Sequence, residues 1–291
     1  MSFAYHNGQF VSREDLTINI ADFGFSRGVT VHCSVRVYGG APFHLEDHVK
    51  RLARGAEILG IGFPMDQKDF NAALRELVKK NGFSQSILRL YLTAGECGHP
   101  SVLSFADCRE FTPHLMALEE PFQPQHADAP MGIEAYRRGQ KLKTIPFVRE
   151  LPEVKSTSYI FSFQAAQEHA RQGWDDVLFT HPGGYVTEAA RSNLFCVIDG
   201  ALCTPARGMF PGVTRQIILA LALRQGIRAE ERDISPADLM RATEAFKTGT
   251  TQELMPIRQI DEHILPTAME GPVFSALRKA FTDYIDEYRL S

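Results

Sequence analysis

Apolar and polar positions in the first half of the chain predict strands before helices. Asn7-Gly8 lies between two short alternating stretches, which is typical of a hairpin turn. β-branched and aromatic residues are enriched in four further stretches, which predict strands at 16–20, 29–38, 86–93 and 111–118. Apolar residues with helical spacing predict two helices, at 45–59 and 67–81.

The second half of the chain is rich in hairpin signals. Two hairpins are predicted, one turning at Pro182-Gly183-Gly184 and the other at Asp199-Gly200. The remaining elements are helices at 160–172, 213–225, 235–242 and 273–290, and a strand at 244–248.

This order of elements predicts an α+β fold in two domains. The proline-containing stretch 120–130 is typical of a linker, so we expect an N-terminal domain at 1–119 and a C-terminal domain at 131–291. A doubly wound dinucleotide fold is excluded because no GxGxxG turn joins a strand to a helix.

Composition and charge exclude several classes of partner. The 291 residues have a formal charge of -4, without the basic excess that nucleic-acid binding requires. No apolar run approaches the roughly 20 residues of a membrane span. The N-terminus lacks the basic and apolar regions of a signal peptide, so we expect a cytoplasmic protein.

The five cysteines are odd in number and form no CxxC pair, so we expect reduced, mostly buried thiols. Among the ten histidines, only His44 and His48 share a helical i,i+4 spacing. Their sequence, HLEDH, lacks the glutamate placement of a zinc-protease helix. We therefore expect no catalytic metal.

Three stretches could form an anion site. Arg51 closes HxxRL on the first long helix, and Val213 and Thr214 lie in PGVTR, where a helix begins. Thr250 and Thr251 lie in TGTTQE, a turn with backbone and hydroxyl donors. Taken singly, such residues are more often solvated or structural.

Lys155 and Glu188 are equally ordinary by themselves. Lys155 ends a short apolar stretch that runs into a polar turn, where a lysine is normally a solvated surface residue. Glu188 lies just past the turn of a hairpin, where a carboxylate either faces solvent or accepts a hydrogen bond from a ring N–H.

Together these stretches resemble the fold-type IV, or class IV, family of pyridoxal-phosphate aminotransferases. That family includes branched-chain aminotransferases, D-amino acid aminotransferases and aminodeoxychorismate lyases. The resemblance extends over about residues 7–257 and rests on five ordered matches. These are DFGFSRGxxV with RVYGG from Asp22, HLEDHVKRL at 44–52, Lys155, VTEAARSNLF at 186–195 with PGVTR at 211–215, and TGTTQELMPI at 248–257.

The resemblance implies pyridoxal 5′-phosphate as the cofactor, with Lys155 as the Schiff-base and catalytic lysine. It implies that Glu188 bonds the pyridine nitrogen. Phe210 falls where the family usually has a leucine against the ring. Tyr159 is similar to a tyrosine near the phenolic oxygen, which lies one residue further on in branched-chain enzymes. The implied phosphate-binding residues are Arg51, Val213, Thr214 and Thr250.

On the substrate side the chain departs from better-known members. His32 and Cys33 replace an aromatic residue and an acid of the family's GDGVFE or GDGVYE, and Ile87 stands where branched-chain enzymes have a carboxylate-binding tyrosine. The candidate carboxylate ligands are three arginines, since a planar guanidinium matches a carboxylate: Arg27, Arg36 and Arg89. His32 is expected in the pocket wall, and Thr251 is expected to donate its backbone N–H to the substrate.

Four functions are compatible with the resemblance. We expect an aminotransferase that acts on small amino acids, D-amino acids favoured, and 2-keto acids, because the tyrosine of branched-chain enzymes is missing. The alternatives that use the same cofactor are an aminodeoxychorismate lyase and a branched-chain L-amino acid aminotransferase. A non-catalytic binding protein on the same scaffold is the alternative from another class. The family resemblance also implies a homodimer.

Overall fold

The structure is a computed structural model, and it describes residues 2–98, 108, 110–122, 136–267 and 271–290. The chain divides into two compact units. Unit 1 comprises Met1–Phe122 with Val154–Ser158, and unit 2 comprises Gln123–Glu153 with Tyr159–Ser291.

Unit 1 is built on an antiparallel six-stranded sheet with the strand order β2-β1-β6-β5-β3-β4. Its strands are β1 (Phe3–His6), β2 (Gln9–Ser12), β3 (Thr30–Tyr38), β4 (Ala41–Pro42), β5 (Gln85–Cys97) and β6 (Phe111–Pro121). Its helices are a 3-10 turn at Arg13–Asp15, α1 (Phe23–Ser26), α2 (Leu45–Ile58) and α3 (Gln67–Asn81).

The two long helices begin and end where the sequence predicts. The side chain of Asp66 caps α3 by accepting a hydrogen bond from the Lys68 backbone N–H (2.7 Å). Gly82 ends the same helix with a φ of 69°, a left-handed conformation that glycine adopts without a Cβ clash. Glu46 and Asp47 lie in the first turn of α2, where negative charge complements the helix dipole.

The sheet of unit 1 has one apolar and one polar face, because side chains alternate along a strand. Val31, Cys33, Val35 and Val37 of β3 lie in the buried core, together with apolar residues of α2 and α3. The intervening residues of β3 lie on the opposite face. There, His32 pairs across the strands with Tyr91, and Ser34 with Arg89.

Unit 2 is built on a nine-stranded sheet. Its strands are β7 (Gln140–Pro146), β8 (Asp176–His181), β9 (Tyr185–Ala189), β10 (Asn193–Ile198), β11 (Ala201–Thr204), β12 (Ala229–Glu231), β13 (Glu244–Gly249), β14 (Glu253–Ile260) and β15 (His263–Ile264). The order is β12-β11-β10-β13-β14-β7-β8-β9, and β15 pairs with β14. Because β9 also pairs with β10, the six strands β10, β13, β14, β7, β8 and β9 close into a ring.

The helices of unit 2 are α4 (Ile160–Ala170), α5 (Val213–Arg224), α6 (Pro236–Leu239) and α7 (Pro272–Leu290). The two predicted hairpins are confirmed as β8–β9 and β10–β11. The predicted α+β class is also confirmed. In the part of the chain that the structure describes, no helix is long and apolar enough to span a membrane.

The predicted strand at 16–20 is wrong. The structure describes all five residues without a strand, and Ile18 and Ile20 are 39% and 76% exposed. The β-branched residues of this stretch lack the alternating burial of a sheet strand, so their intrinsic preference alone does not form one.

The predicted start of the linker is also wrong. Glu120 and Pro121 belong to β6, where they pair with Ile87 and Ser86 of β5. Pairing with the backbone of β5 extends β6 beyond the point where prolines and charges suggested a loop. Most of the predicted linker, 123–130, lies outside the described residues.

Two further expectations need correction. Residues Val154–Ser158, predicted in the C-terminal domain, belong to unit 1, because Val154 is buried in its core and Ser156 pairs with Val31. The expectation of five reduced thiols holds for Cys33, Cys196 and Cys203, which are free and buried. Cys97 and Cys108 instead form a disulfide.

A buried carboxylate supports the N-terminus of α7. Glu244 on β13 accepts hydrogen bonds from the backbone N–H groups of Val273 (3.2 Å) and Phe274 (2.7 Å). Glu244→Ala should lower the free energy of unfolding by about 1–2 kcal/mol, because it leaves these donors without their carboxylate acceptor. Urea denaturation measures the change, and Glu262→Ala on the exposed surface is the control. An equal effect of both substitutions would contradict this role of Glu244.

Candidate active site

A half-buried histidine, His32, lies on the polar face of the unit 1 sheet. The imidazole of His32 stacks on the ring of Tyr91, with centroids 6.0 Å apart and planes at 19°. Burial, followed by the positive charges of Lys155, Arg51 and Arg89, lowers the pKa of His32 to about 3. His32 is therefore neutral near pH 7, and three cations lie within electrostatic range of its ring.

The backbone of Lys155 is hydrogen-bonded to strand β3. The backbone N–H of His32 donates a hydrogen bond to the Lys155 carbonyl oxygen (2.8 Å). On either side of the lysine, the Val154 side chain is buried in the unit 1 core and Ser156 bridges to Val31. Three neighbouring contacts thus hold the lysine segment against β3.

Arg51 lies on α2, one helical turn after His48. Its guanidinium Nη2 is 3.1 Å from the Cys33 thiol and 3.2 Å from His48 Nδ1. Arg51 is half-buried, whereas His48 and Cys33 are buried. Arg51 and Lys155 both lie close enough to His32 in unit 1 to act on its charge.

Glu188 in unit 2 is a buried carboxylate with fixed donors. Arg149 Nε donates to its Oε1 (2.6 Å), and the backbone N–H of Phe210 donates to its Oε2 (3.1 Å). The Asn193 amide lies 3.5 Å from the same Oε2 and donates to the Phe210 carbonyl oxygen (2.7 Å). Arg149 also lies over the ring of Tyr159, 5.4 Å from its centroid. Glu188, Phe210 and Tyr159 are therefore linked through Arg149 and Asn193.

A row of cross-strand partners leads from Glu188 towards the predicted phosphate turn. Glu188 pairs with Asn193, and Asn193 pairs with Thr248. The Thr248 hydroxyl is buried and has no hydrogen-bond partner in the described structure. The turn that contains Thr250 and Thr251 follows directly, and both residues are half-buried.

The N-terminus of α5 lies in the same unit. Gly212 is its N-cap, and no side chain of the described residues caps the helix. A Cβ at Gly212 would lie 2.2 Å from Asn193 Oδ1, so the helix start approaches β10 closely because this residue is glycine. Val213 and Thr214 are the first two helical residues, where backbone N–H groups and the helix dipole favour an anion.

The three candidate arginines differ in their surroundings. Arg89 forms an ion pair with Glu120 (2.5 Å), and Glu120 also pairs with Arg13 (3.1 Å). The hydrogen bond from Arg89 lowers the pKa of Glu120. Arg27 is exposed at the end of α1 and donates to the Ser26 carbonyl oxygen (2.8 Å).

The geometry of Arg36 argues against its predicted role in the substrate site. Arg36 is 1% exposed, and its guanidinium donates to the Ser86 carbonyl oxygen (2.8 Å) and the Gln85 side chain (2.8 Å). It also lies over the ring of Phe122, 4.1 Å from the centroid. These contacts give Arg36 a structural role inside unit 1, so we leave it out of the proposed site.

Sequence reasoning missed Arg149 and the positions of Asn193 and His48. Arg149 comes before Lys155 in a stretch without a motif, and no local signal identifies it. Asn193 and His48 lie inside the quoted stretches VTEAARSNLF and HLEDHVKRL, so the motifs contained them without indicating their contacts. Among the described residues, no three metal-ligating side chains form a group that could hold a metal ion.

Unit 1 brings a lysine near other cations, and unit 2 holds a buried carboxylate and a helix N-terminus; each of these groups suits one part of an anionic cofactor. Comparison with known proteins gives the family. The family model described as class IV amino-transferase matches residues 34–260, so the chain belongs to the class IV aminotransferase family. Enzymes of this family use pyridoxal phosphate, and the resemblance seen in the sequence is confirmed.

Relatives with two different substrate names match almost the whole chain. A branched-chain-amino-acid aminotransferase of Pseudomonas aeruginosa is 30% identical, over 97% of this chain and 92% of that protein. A D-alanine aminotransferase of Listeria monocytogenes is also 30% identical, over 96% of this chain and 94% of that protein. The solved branched-chain aminotransferase of the archaeon Thermoproteus uzoniensis with norvaline has a TM-score of 0.83 at 26% identity, over 99% of this chain and 93% of that chain.

The groups of this chain fit pyridoxal phosphate chemically. The N-terminus of α5 and the Arg51 guanidinium suit a phosphate dianion. The Thr248 hydroxyl, which has no partner among the described residues, adds a buried polar group next to the turn. A carboxylate held by an arginine and a backbone N–H, as Glu188 is, suits a protonated ring nitrogen.

The depressed pKa of His32 makes unit 1 sensitive to acid. The folded imidazole has a pKa of about 3, whereas the unfolded value is about 6.5. As the pH falls, the unfolded chain therefore binds a proton before the folded chain does. The contribution of the neutral imidazole to the free energy of unfolding is present above pH 6.5 and is lost as the pH falls towards 3. The stability advantage of wild type over His32→Asn should shrink by about 2 kcal/mol between pH 8 and pH 5.

Urea denaturation of both proteins at the two pH values tests this expectation. The measurement at pH 8 is the internal control, because it reports only the packing difference between histidine and asparagine. A difference that stays the same at pH 8 and pH 5 would show that His32 titrates normally.

Proposed function

We propose that the chain is an aminotransferase that moves the amino group between a small amino acid, the D enantiomer favoured, and a 2-keto acid. The observation that supports this proposal most strongly is the cation cluster around neutral His32. Lys155, Arg51 and Arg89 all act on one half-buried imidazole, so anionic groups of a substrate and a cofactor are attracted to the neighbourhood of the lysine.

Pyridoxal phosphate, when bound, supplies the electron sink for a carbanion at the substrate Cα. Lys155 would hold the cofactor covalently through Nζ and move the proton at the substrate Cα. The side chain of Glu188 would accept the hydrogen bond of the ring nitrogen, and its bond from Arg149 keeps that carboxylate oriented.

The remaining cofactor residues have separate tasks. Arg51, Val213, Thr214 and Thr250 would donate to the phosphate through a guanidinium, backbone N–H groups and a hydroxyl. Tyr159 would contact the phenolic oxygen, and Phe210 would lie against the ring. The backbone N–H of Phe210 donates a hydrogen bond to Glu188 (3.1 Å), and this contact supports the place of Phe210 against the ring.

Arg89 is the best-supported ligand for the substrate carboxylate. It lies on the polar face next to the pair of His32 and Tyr91, whereas Ile87, where branched-chain enzymes have a tyrosine, pairs with buried Arg36. Its ion pair with Glu120 orients the guanidinium. His32 would form the pocket wall, and Arg27 and the Thr251 backbone N–H remain further candidates.

A branched-chain L-amino acid aminotransferase is the second candidate, favoured by the Pseudomonas aeruginosa relative with that name. The loss of the tyrosine at position 87 is the reason for preferring D-amino acids. The cytoplasmic location predicted from the sequence stays a prediction.

The role of Lys155 can be tested by chemical trapping. Borohydride treatment of the wild-type protein with pyridoxal phosphate should leave a pyridoxyl group on Lys155, found by peptide mass spectrometry. Lys155→Ala should lose this adduct and at least about 10³-fold of the activity, because a positioned base and covalent anchor are removed together. Lys143→Ala in unit 2 is a control for the loss of a lysine. A wild-type adduct elsewhere would overturn the assignment.

The preferred donor can be read from the cofactor's absorbance. Adding D-alanine in the absence of a keto acid should convert the yellow form to the pyridoxamine form, and L-leucine should do so more slowly. Faster conversion by L-leucine would favour the branched-chain candidate. Release of pyruvate from aminodeoxychorismate without an acceptor would indicate the lyase.

Arg89→Gln should raise the substrate KM about 10- to 100-fold, because it removes a charged partner of the carboxylate.

We also propose a homodimer. The observation that supports it is an exposed apolar face on α4, where Ile160 and Phe163 are 83% and 68% exposed. In unit 1, Ile20 and Phe25 are similarly exposed, at 76% and 64%.

Sedimentation should give twice the chain mass for wild type. Phe163→Glu should shift the protein towards the monomer, because a charge would have to be buried in the apolar contact. Leu223→Glu, at a residue that is 80% exposed on α5, is the matched control. A monomeric wild type would overturn this proposal.

A further inference from the structure

Three polar atoms form a nearly equilateral triangle beneath the polar face of unit 1. The Cys33 Sγ lies 3.1 Å from His48 Nδ1, Arg51 Nη2 lies 3.1 Å from Cys33 Sγ, and Arg51 Nη2 lies 3.2 Å from His48 Nδ1. Each atom is within contact distance of the other two. The guanidinium end of Arg51 is therefore held by two side chains at once.

The packing of α2 on β3 builds this triangle. Cys33 is on the apolar face of β3 and is 1% exposed, and His48 is 3% exposed on the buried side of α2. Arg51 follows His48 by three residues, so both side chains lie on the same side of the helix. Cys33 and His48 cannot move away from Arg51 unless the core of unit 1 repacks.

The imidazole of His48 is an acceptor towards Arg51. Burial, followed by the positive charge of Arg51, holds the pKa of His48 well below its usual range, so the ring is neutral near pH 7. A neutral imidazole has one unprotonated nitrogen, and the N–H of Arg51 Nη2 can donate to that nitrogen and to the sulfur. Two neutral, polarisable acceptors thus orient one cationic donor.

A thiol and a carboxylate would act differently on Arg51. A carboxylate next to Arg51 would form a full ion pair with the guanidinium. A thiol accepts a weaker hydrogen bond and neutralises less of the positive charge of the guanidinium. It therefore restrains the guanidinium without competing strongly with a bound anion for its charge.

We propose that Cys33 and His48 are positioning residues that hold Arg51 for the cofactor's phosphate group. This inference rests on the proposed function, because it needs Arg51 as a phosphate ligand. The two residues touch neither cofactor nor substrate, and they act by fixing the direction of the Arg51 N–H groups. Their effect is therefore specific for the phosphate and absent for a cofactor without one.

The experiment compares the binding of pyridoxal phosphate with that of pyridoxal to the full-length apoprotein. The ratio of the two dissociation constants, measured by absorbance titration, isolates the contribution of the phosphate. Cys33→Ala should weaken pyridoxal phosphate about tenfold, the size of one lost charge-assisted contact, and should change pyridoxal less than about twofold. His48→Phe should act in the same direction, because it removes the nitrogen acceptor and keeps a buried ring.

Conservative variants separate positioning from packing. Cys33→Ser retains an acceptor and should recover most of the preference for phosphate, and His48→Asn should do the same through its amide oxygen. Cys196→Ala removes another buried thiol, in the core of unit 2, and is the matched control for cavity formation. If Cys33→Ala fails to fold, the comparison of Cys33→Ser with His48→Phe and His48→Asn still tests the inference.

The outcomes are distinguishable. A wild-type protein that prefers pyridoxal phosphate, with Cys33→Ala losing that preference, supports the inference. An unchanged ratio in Cys33→Ala and His48→Phe, or an equal loss for both ligands, overturns it and leaves the proposed function intact. A wild-type protein that forms no adduct with pyridoxal phosphate and prefers neither ligand overturns the proposed function, and this inference with it.

Discussion

The hydrogen bond from the His32 backbone N–H to the Lys155 carbonyl oxygen is the contact that fixes the lysine segment in unit 1. It ties a segment from the middle of the chain to β3, and burial of the neighbouring Val154 in the core fixes the segment from its other side. The backbone of Lys155 is thereby placed by β3 and by the core of unit 1. This is why a lysine with an unremarkable local sequence has a defined environment.

Charge in this part of the molecule is arranged by keeping two histidines neutral. His32 is half-buried and His48 is buried near Arg51 and Lys155, and burial lowers the pKa of both. Protonating either ring would add a positive charge to an already cationic region. The neutral rings instead offer contacts to the cations, and the attraction for anions comes from the lysine and arginines. In unit 2 the opposite charge is fixed: Glu188 is a buried carboxylate with an arginine and a backbone donor on its two oxygens.

Much of the fold could be predicted because its signals are local. Three such signals act within a few residues: the cap at Asp66, the left-handed Gly82 and the glycine turns of the hairpins. The helices and strands whose ends they mark lie where expected. The errors arise where pairing with residues far apart in the sequence determines whether a strand forms. Residues 16–20 have strand-forming side chains without a sheet partner, and Glu120 is drawn into β6 by its pairing with β5.

The same distinction applies to the site. Lys155, Glu188 and Arg51 could be selected only because five motifs occur in the family's order, since none is distinctive alone. Arg36 and Arg89 are indistinguishable by residue type, yet one is enclosed by backbone carbonyls and the other lies in an ion pair near His32. Arg149 has no motif at all. Its function becomes visible only when the fold brings it against Glu188.

Strand register gives two adjacent residues of β3 different environments. The His32 side chain lies on the polar face beside Tyr91, and the next residue, Cys33, lies on the core face against Arg51. Because side chains alternate with a period of two, a shift of one residue would exchange these environments. It would bring the thiol to the polar face and the imidazole into the helix-packed core. The long pairing of β3 with β5, from Thr30 to Tyr38, resists such a shift. The register of one strand therefore determines the surroundings of His32 and of Arg51 together.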